Sequence, residues 1–321
     1  MTDSALEKKY GNQADMLANR VKKRFKHLHK RYTKQNLSVF RLYDWDIPEI
    51  RAVVDWYDGH LVMSEYKRTQ STPDWLPLMG EAVREAMNVP QDHLHLKERI
   101  AGKSDGTRYE RLSHTNQKRV VTERDLQFYV NLRDYVDTGL FSDHRNTRAM
   151  VRDMAQDTRF LNLYCYTGSF SCYAATGGAK TTTSVDRSET AVTWARENME
   201  LNRIPAADNR LIQADTFDFL NRARKKGETF DLAVVDPPSY STTRTRNISF
   251  DILNDHPRLL SDVIAVMEKG ATVFFSTNHQ DFTLRPERLA VSDIKEITST
   301  TIPEDYISKR KTIHRCWRIV V

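Results

Sequence analysis

Apolar residues along the chain follow three rhythms, each predicting a different kind of element. Leu17, Val21, Phe25, Leu28 and Tyr32 recur at three- and four-residue spacing, which places them on one stripe of an amphipathic helix. The stretch LSVFRLYDWDIPEIRAVVDWYDGHLVMSEYKR changes to alternation, marked by Val39, Arg41 and Tyr43 and then by Val53, Asp55 and Tyr57, with a turn at Asp58-Gly59; it predicts a meander of three strands. Pro73 and Asp74 open a helix through about Met87, and His93 to Ile100 reads as another strand. After the polar, turn-rich AGKSDGTRYERLSHTNQKR, the segment VVTERDLQFYVNL predicts a hairpin turning near Arg124-Asp125. The division expected from these patterns is a basic helix over 1–36 and a small α+β domain over 37–132, followed by a third part over 133–321.

The third rhythm begins at Thr158. RFLNLYCY, SFSCYAATGG, KTTTSVD, SETAVTWARENMELN, NRLIQAD, TFDFLNRARKKG and FDLAVVD alternate short apolar strands with amphipathic helices, which predicts an α/β fold with a parallel sheet covered on both faces. GATVFFSTN follows as a fifth strand, IKEITSTTI as a sixth and HRCWRIVV as a seventh. No helical pattern separates the last two, so they are expected to form a terminal antiparallel hairpin.

Composition narrows the class of protein. The 321 residues suit about two domains, and 39% hydrophobic with 29% charged residues excludes a disordered or collagen-like chain. No apolar run approaches a membrane span and the first residues lack a signal-peptide core, so a cytoplasmic protein is expected. Cys165, Cys172 and Cys316 form neither a CxxC pair nor an even-numbered framework, which disfavours structural disulfides and zinc; no metal is expected. The net charge of +6 is localised. Ala18 to Lys34 holds eight basic residues (Arg20, Lys22, Lys23, Arg24, Lys26, Lys30, Arg31 and Lys34) and no acidic one, leaving the rest slightly acidic. Such a helix suits a polyanion, since each phosphate it neutralises releases counterions, although a solvated helix face has the same composition.

In doubly wound sheets, ligands lie beyond the carboxyl ends of the strands. After the first strand comes Tyr166-Thr167-Gly168-Ser169, with one glycine where a dinucleotide fingerprint needs three. Asp186 ends the second strand, 18 residues after Gly168, where a carboxylate can accept ribose hydroxyls. Asp215 ends the third, placed to accept an adenine amino proton, with Phe217 able to pack on the ring. Each alone has a structural explanation: a tight turn for Gly168 and helix caps for the two aspartates. Together they fit a nucleoside without a pyrophosphate. The fourth strand ends in Asp236-Pro237-Pro238-Ser239-Tyr240, whose prolines impose an extended, donor-poor backbone that projects carbonyls and the next side chain over the same region.

At this point a resemblance is explicit. LNLYCYTGSFS, SVDRS, QADTFDFL and VVDPPSY, in this order, are similar to the motif series of class I S-adenosylmethionine-dependent methyltransferases. FYVNLRDYVDTGLFSDHRNTR and the ending Lys311-Thr312-Ile313-His314-Arg315-Cys316-Trp317 resemble, more narrowly, the bacterial large-subunit (23S) ribosomal RNA guanine-N7 methyltransferases, the K half of an enzyme often fused to a guanine-N2 methyltransferase half. The resemblance implies S-adenosyl-L-methionine as cofactor, held by Asp143, Arg145, Tyr166, Thr167, Gly168, Ser169, Asp186, Arg187, Asp215, Phe217 and Asp236. It implies a catalytic segment of Asp236, Pro237, Pro238 and Tyr240. Ribosomal RNA is the implied partner, met by Lys22, Lys23, Arg24 and Lys26 on the first helix, Lys103 and Arg108 in the polar loop, and Arg244, Arg246, Lys309, Arg310 and Arg315 at the rim.

The residues also bear on the target atom. Cytosine C5 transfer needs a thiol to add to the ring, expected near the end of strand five, where this chain has Ser276-Thr277-Asn278. An exocyclic amine needs its protons accepted, commonly beside a Pro-Pro-aromatic run, and Ser239 stretches that spacing here. Guanine N7 offers an in-plane lone pair with no proton to remove, so alignment and exclusion of water suffice. Direct transfer to N7 of a base turned out of its stack, with Tyr240 against the guanine, is therefore the expected chemistry. The alternatives are methylation of cytosine C5 or guanine N2, a nicotinamide oxidoreductase, and a non-catalytic RNA-binding module.

Overall fold

The computed structural model describes residues 3–67, 72–100, 111–242, 249–287, 289–308 and 310–321. The basic segment forms one long helix, α1 (Asp3–Lys34), and Leu17, Val21, Leu28 and Tyr32 of its apolar stripe are buried with Phe25 partly so. Three antiparallel strands follow, β1 (Val39–Asp44), β2 (Ala52–Tyr57) and β3 (His60–Lys67), and Asp58 (φ 44°) and Gly59 (φ 91°) make the two-residue turn with the left-handed backbone such hairpins require. Helix α2 (Trp75–Met87) then crosses over so that β4 (Leu94–Ile100) pairs parallel to β3. Helices α1 and α2 cover one face of this sheet around Phe40, Leu42, Ile50 and Met79. The other face is covered too. Arg41 in β1 is buried against Asp44 and Asp55, and its backbone N–H donates to Asp305 of the C-terminal region at 2.9 Å.

The hairpin β5 (Arg119–Glu123) and β6 (Leu126–Val130) turns at Arg124-Asp125, with Arg124 left-handed at φ 61°. It is a separate two-stranded sheet, bound through Asn198 of a later helix and Asn202 at that helix's C-cap, which accept from Tyr129 N (2.8 Å) and Gln127 N (2.9 Å). Phe128, Val130 and Leu132 share one core with Val39 and Val62 on one side and Cys172, Tyr173 and Met199 on the other.

After α3 (Arg145–Asp153) come β7 (Arg159–Leu163), α4 (Ser169–Thr176), β8 (Thr181–Asp186), α5 (Glu189–Leu201), β9 (Asn209–Gln213), α6 (Thr216–Lys226) and β10 (Phe230–Val235). A short ribbon, β11 (Tyr240–Thr242) and β12 (Ser249–Asp251), precedes α7 (Ile252–Ile264) and β13 (Met267–Thr277). The chain closes with β14 (Asp293–Glu296), the single turn α8 (Thr298–Thr301) and β15 (Arg315–Val320). The seven strands run β14-β15-β13-β10-β7-β8-β9, with β15 antiparallel to both its neighbours. The terminal antiparallel pair is present, but the sixth strand is shorter than expected. Thr298 to Thr301, read from the sequence as strand, form a helical turn in which Thr300 and Thr301 bond back to Ile297 and Thr298 carbonyls through their hydroxyls. The connection from β14 to β15 is correspondingly long, and it carries Asp305 and Tyr306 under β1.

Candidate active site

The carboxyl ends of β7 to β10 open into a cavity of about 490 Å³, closed from the side by α3 and from above by the β11–β12 ribbon. Beyond β7 the backbone enters the left-handed region at Tyr164 (φ 58°), Tyr166 (φ 49°) and Gly168 (φ 74°). Such conformations are costly for tyrosine and persist where neighbours over-determine them. Here Tyr166 N–H donates to Asp186 at 2.9 Å, and Gly168 N–H to Cys165 O at 2.9 Å. A Cβ on Gly168 would stand 2.9 Å from Ala195 Cβ, so glycine is what lets α5 close on this turn. Thr167 braces it from behind, donating to Gly139 O at 2.6 Å, while Tyr166 and Ser169 line the cavity.

Asp186 ends β8 with both oxygens oriented, one by Tyr166 N–H and the other by Ser188 N–H at 2.8 Å. Burial pushes its carboxyl pKa up, and these backbone donors oppose that shift. Asp215 caps α6, accepting from Phe217 N–H at 2.9 Å and Asp218 N–H at 3.3 Å, and also lines the cavity. Phe217 lies beside it with the Arg258 guanidinium 4.6 Å from its ring centre. At the end of β10, Asp236 accepts from Ser276 Oγ at 2.6 Å, and Ser239 donates to Asn278 at 2.7 Å. The end of β13 thus sets the pose of the Asp-Pro-Pro-Ser-Tyr segment. Tyr240 opens β11 opposite Asp251 and is 37% exposed.

Two residues of the α3 wall were not singled out from the sequence. Arg148 is fully buried, held by Glu123 through two bonds of 2.7 Å, and a third nitrogen donates to Phe141 O at 3.0 Å. Burial lowers its pKa, but Glu123 more than offsets this. His144 lines the cavity with a buried Nδ1 that has no hydrogen-bond partner among the described residues. Burial, then the neighbouring His314, depress its pKa. His144 stacks on His314 at 4.1 Å and 12°; His314 Nδ1 bonds Asp143 at 3.0 Å. Near-parallel rings do not aim their in-plane lone pairs at one point, so Asp143, His144 and His314 act as a braced stack rather than a set of metal ligands. Burial raises the Asp143 carboxyl, but His144 and the His314 bond outweigh it and hold its pKa far below the usual range.

A profile of the S-adenosylmethionine-dependent methyltransferases matches residues 44–306. The chain belongs to this family. Ribosomal RNA large subunit methyltransferase K of Neisseria meningitidis serogroup B is 38% identical over 307 residues, which cover 94% of this chain and 86% of that protein. Ribosomal RNA large subunit methyltransferase K/L of Magnetococcus marinus is 39% identical over 314 residues, 95% of this chain but 43% of that protein, so the chain spans less than half the K/L length. A crystal structure of a putative methyltransferase complexed with SAH superposes at a TM-score of 0.75 and 20% identity, over 95% of this chain and 82% of that one, a likeness of fold.

The cofactor of the methyltransferase is therefore S-adenosylmethionine, and the cavity suits it. Asp186, Asp215 and Asp236 at successive strand ends, with Asp137, Asp218 and Asp255, outnumber the lining cations Arg148, Arg187 and Arg258, a balance that favours a sulfonium and opposes a pyrophosphate. The buried, unsatisfied His144 Nδ1 offers a further polar contact. Not every residue nominated from the sequence reaches the cavity. Arg145 faces away, into a buried ion pair with Asp305 and bonds to Val39 O and Tyr32, because α3 turns that side toward α1. Asp143 supports His144 and His314 and does not line the wall; Thr167 and Gly168 shape the turn from behind. Arg148 lies four residues from His144, on the same side of the helix start, and neither was singled out from the sequence.

Among the RNA candidates, Lys22, Lys23 and Lys26 are exposed with no ion pair among the described residues, whereas Arg24 donates to Glu304 O at 3.1 Å. Arg315 is engaged by Glu296 at 2.7 and 2.9 Å and by Phe282 O at 2.6 Å, so it is no free cation at the rim. Arg310 is exposed and lies over Trp45. Lys103, Arg108, Arg244, Arg246 and Lys309 lie outside the described residues.

Proposed function

We propose that this methyltransferase modifies guanine N7 in large-subunit ribosomal RNA by direct in-line transfer, with residues 1–36 and 37–132 serving RNA contact. The cofactor supplies an electrophilic methyl on a sulfonium. Asp186 and Asp215 hold its nucleoside end, and Asp236 and the prolines fix the base so that its in-plane lone pair points at that methyl. As positive charge passes to the purine, the Asp236 carboxylate, oriented by Ser276, favours it electrostatically. Tyr240 stacks on the extruded base.

One observation carries the non-covalent part of this reading: β13 ends in Ser276 and Thr277, followed by Asn278, where a covalent mechanism needs a thiol, and Ser276 directs its proton to Asp236. The three cysteines are buried, with Cys172 pushed up to about 12 by burial and Cys165 and Cys316 raised the same way. The names of the two relatives and the lysines of α1 support ribosomal RNA as substrate. The greater length of the K/L relative supports a second half as a partner, which the resemblance implies to be a guanine-N2 methyltransferase. The test is mass-spectrometric nucleoside analysis of unmodified ribosomal RNA after incubation with the protein and methyl-labelled cofactor. Label in 7-methylguanosine is the expected result; label in 5-methylcytidine or N2-methylguanosine replaces the N7 reading.

A further inference from the structure

Between the lysines of α1 and the methyl-transfer site lies a cluster of rings and cations that the catalytic description does not use. Trp45 follows β1 in a left-handed conformation, φ 52°, with its indole N–H donating to Pro48 O at 3.0 Å. The guanidinium carbons of Arg51 and Arg310 stand 4.2 and 4.9 Å from its ring. Tyr66 is 6.2 Å away, ring centre to ring centre, and its hydroxyl accepts from Lys311 Nζ at 2.9 Å. Both rings are half-buried and Arg310 is exposed. Of the nearby carboxylates, Asp46 pairs with Arg20 at 2.6 Å, and the buried Asp44 pairs with Arg41 at 2.8 Å and with Lys311 at 3.9 Å. Arg310 and Lys311 thus hold positive charge against the Trp45 and Tyr66 rings.

The placement of this cluster links the two functional regions. Glu304, which receives Arg24, His27 and Arg31 of α1, begins the segment that carries Arg310 and Lys311 past Trp45 and Tyr66. Thr312 O then accepts from Gln280, which also bonds Asn278 O, and Asn278 holds Ser239. Two residues on, His314 meets Asp143 in the stack beside Asp236.

We propose that Trp45, Tyr66, Arg310 and Lys311 form a site for an unpaired nucleotide of the RNA, flanking the one whose base enters the catalytic site; this rests on the RNA reading above. A paired base has both faces covered by its neighbours, so an aromatic platform selects bases that are splayed out. Arg310 is exposed and can leave the indole to meet a phosphate or remain as a second stacking plane, and Lys311, 4.9 Å from the Tyr66 ring centre, supplies a further charge.

The test uses the full chain and fluorescence anisotropy with a short labelled single-stranded oligoribonucleotide and with the corresponding duplex. Trp45→Ala is expected to weaken single-strand binding about tenfold. Trp45→Phe should retain most of the affinity, duplex binding should change little in both, and calorimetric affinity for S-adenosylmethionine should be preserved. Arg310→Gln, an exposed substitution that does not threaten folding, should reduce the salt slope of single-strand binding by about one. Equal losses on single strand and duplex, or unaltered RNA binding in Arg310→Gln together with a cofactor-competent Trp45→Ala, overturn the site, as they would if this surface docked another protein. Should Trp45→Ala lose cofactor binding, the Arg310→Gln salt slope and the Trp45→Phe affinities decide. Wild-type protein that makes no 7-methylguanosine while these variants lose single-strand affinity overturns the N7 reading and leaves the nucleotide site standing; the converse pattern overturns the site alone.

Discussion

Asp186 shows how one carboxylate serves fold and site together. It holds the Tyr166 and Ser188 backbone N–H groups and presents its remaining lone pairs to the cavity. Asp186→Asn keeps an acceptor but loses the charge, and is expected to weaken S-adenosylmethionine binding by roughly 1.5–3 kcal/mol. Calorimetry on the folded variant checks this, and an unchanged affinity would remove Asp186 from the cofactor site. Tyr240, at the start of the β11–β12 ribbon and not itself a lining residue, tests the base-binding part of the proposal. If its ring stacks on the base, Tyr240→Ala should lose on the order of 1–3 kcal/mol in base binding, and Tyr240→Phe little. Single-turnover transfer and cofactor affinity measured on the same proteins separate this from a role in covering the cofactor, which would make both quantities fall together. Strand-end residues of this kind were legible in the sequence because strand, turn and helix signals place them at the sheet's carboxyl edge. His144 and Arg148 were not, because their importance depends on which side of α3 faces the cavity rather than on any local signal.

At the level of elements, the β5–β6 hairpin behaves as part of the catalytic wall. Glu123, its last residue before the turn, is buried and forms the bidentate pair that fixes Arg148. Glu123→Ala leaves a buried guanidinium uncompensated, which should cost about 3–5 kcal/mol of stability. Glu123→Gln should cost less, since it keeps a hydrogen-bond acceptor. Urea unfolding of both variants, with cofactor affinity alongside, measures the effect; equal and small losses would mean that Arg148 finds another partner. The sequence correctly predicted this hairpin from its turn residues. It could not show that Asn198 of α5 and Asn202 at its C-cap would satisfy the hairpin's backbone, because those bonds join residues about seventy positions apart. The sixth strand failed for a related reason: a threonine-rich run has the composition of a strand, but its hydroxyls bond back to nearby carbonyls and favour a turn.

Across the whole molecule, acid should loosen the contact between the small sheet and the catalytic part. His60 and His95 are buried, with pKa values pushed down to about 4 and about 3, by burial first and then by Arg119 for His60 and by His60 and Arg133 for His95. Neighbouring His93, Asp92 and Lys97 add smaller effects. Because the unfolded chain takes up protons below about 6.5 and the folded one does not, stability should fall as pH drops from there toward 4, by at most ~1.4 kcal/mol per pH unit for each histidine. Asp143, depressed in the fold, adds a loss in the same direction below about 4. Denaturant unfolding at pH 7 and pH 5 should show the decline, and His95→Gln should flatten it; a slope unchanged by that substitution would place the titration elsewhere.

Local pattern determined the basic helix, the meander, the alternation of strands and helices, and the acidic residues at strand ends, since each depends on periodicity or on neighbours within a few residues. The motif series gave the cofactor its expected identity. Tertiary structure alone decided where the buried charges go. Arg145 is drawn to Asp305, 160 residues away, and Arg41 to Asp44, Asp55 and the same C-terminal segment, so the charged positions that alternation assigns to a solvated face are interior. Tertiary packing likewise brought Trp45 and Tyr66 under Arg310 and Lys311, at separations for which no local rule exists. A charge buried between elements requires a partner, and which partner it meets depends on how the elements pack, not on the pattern that formed them.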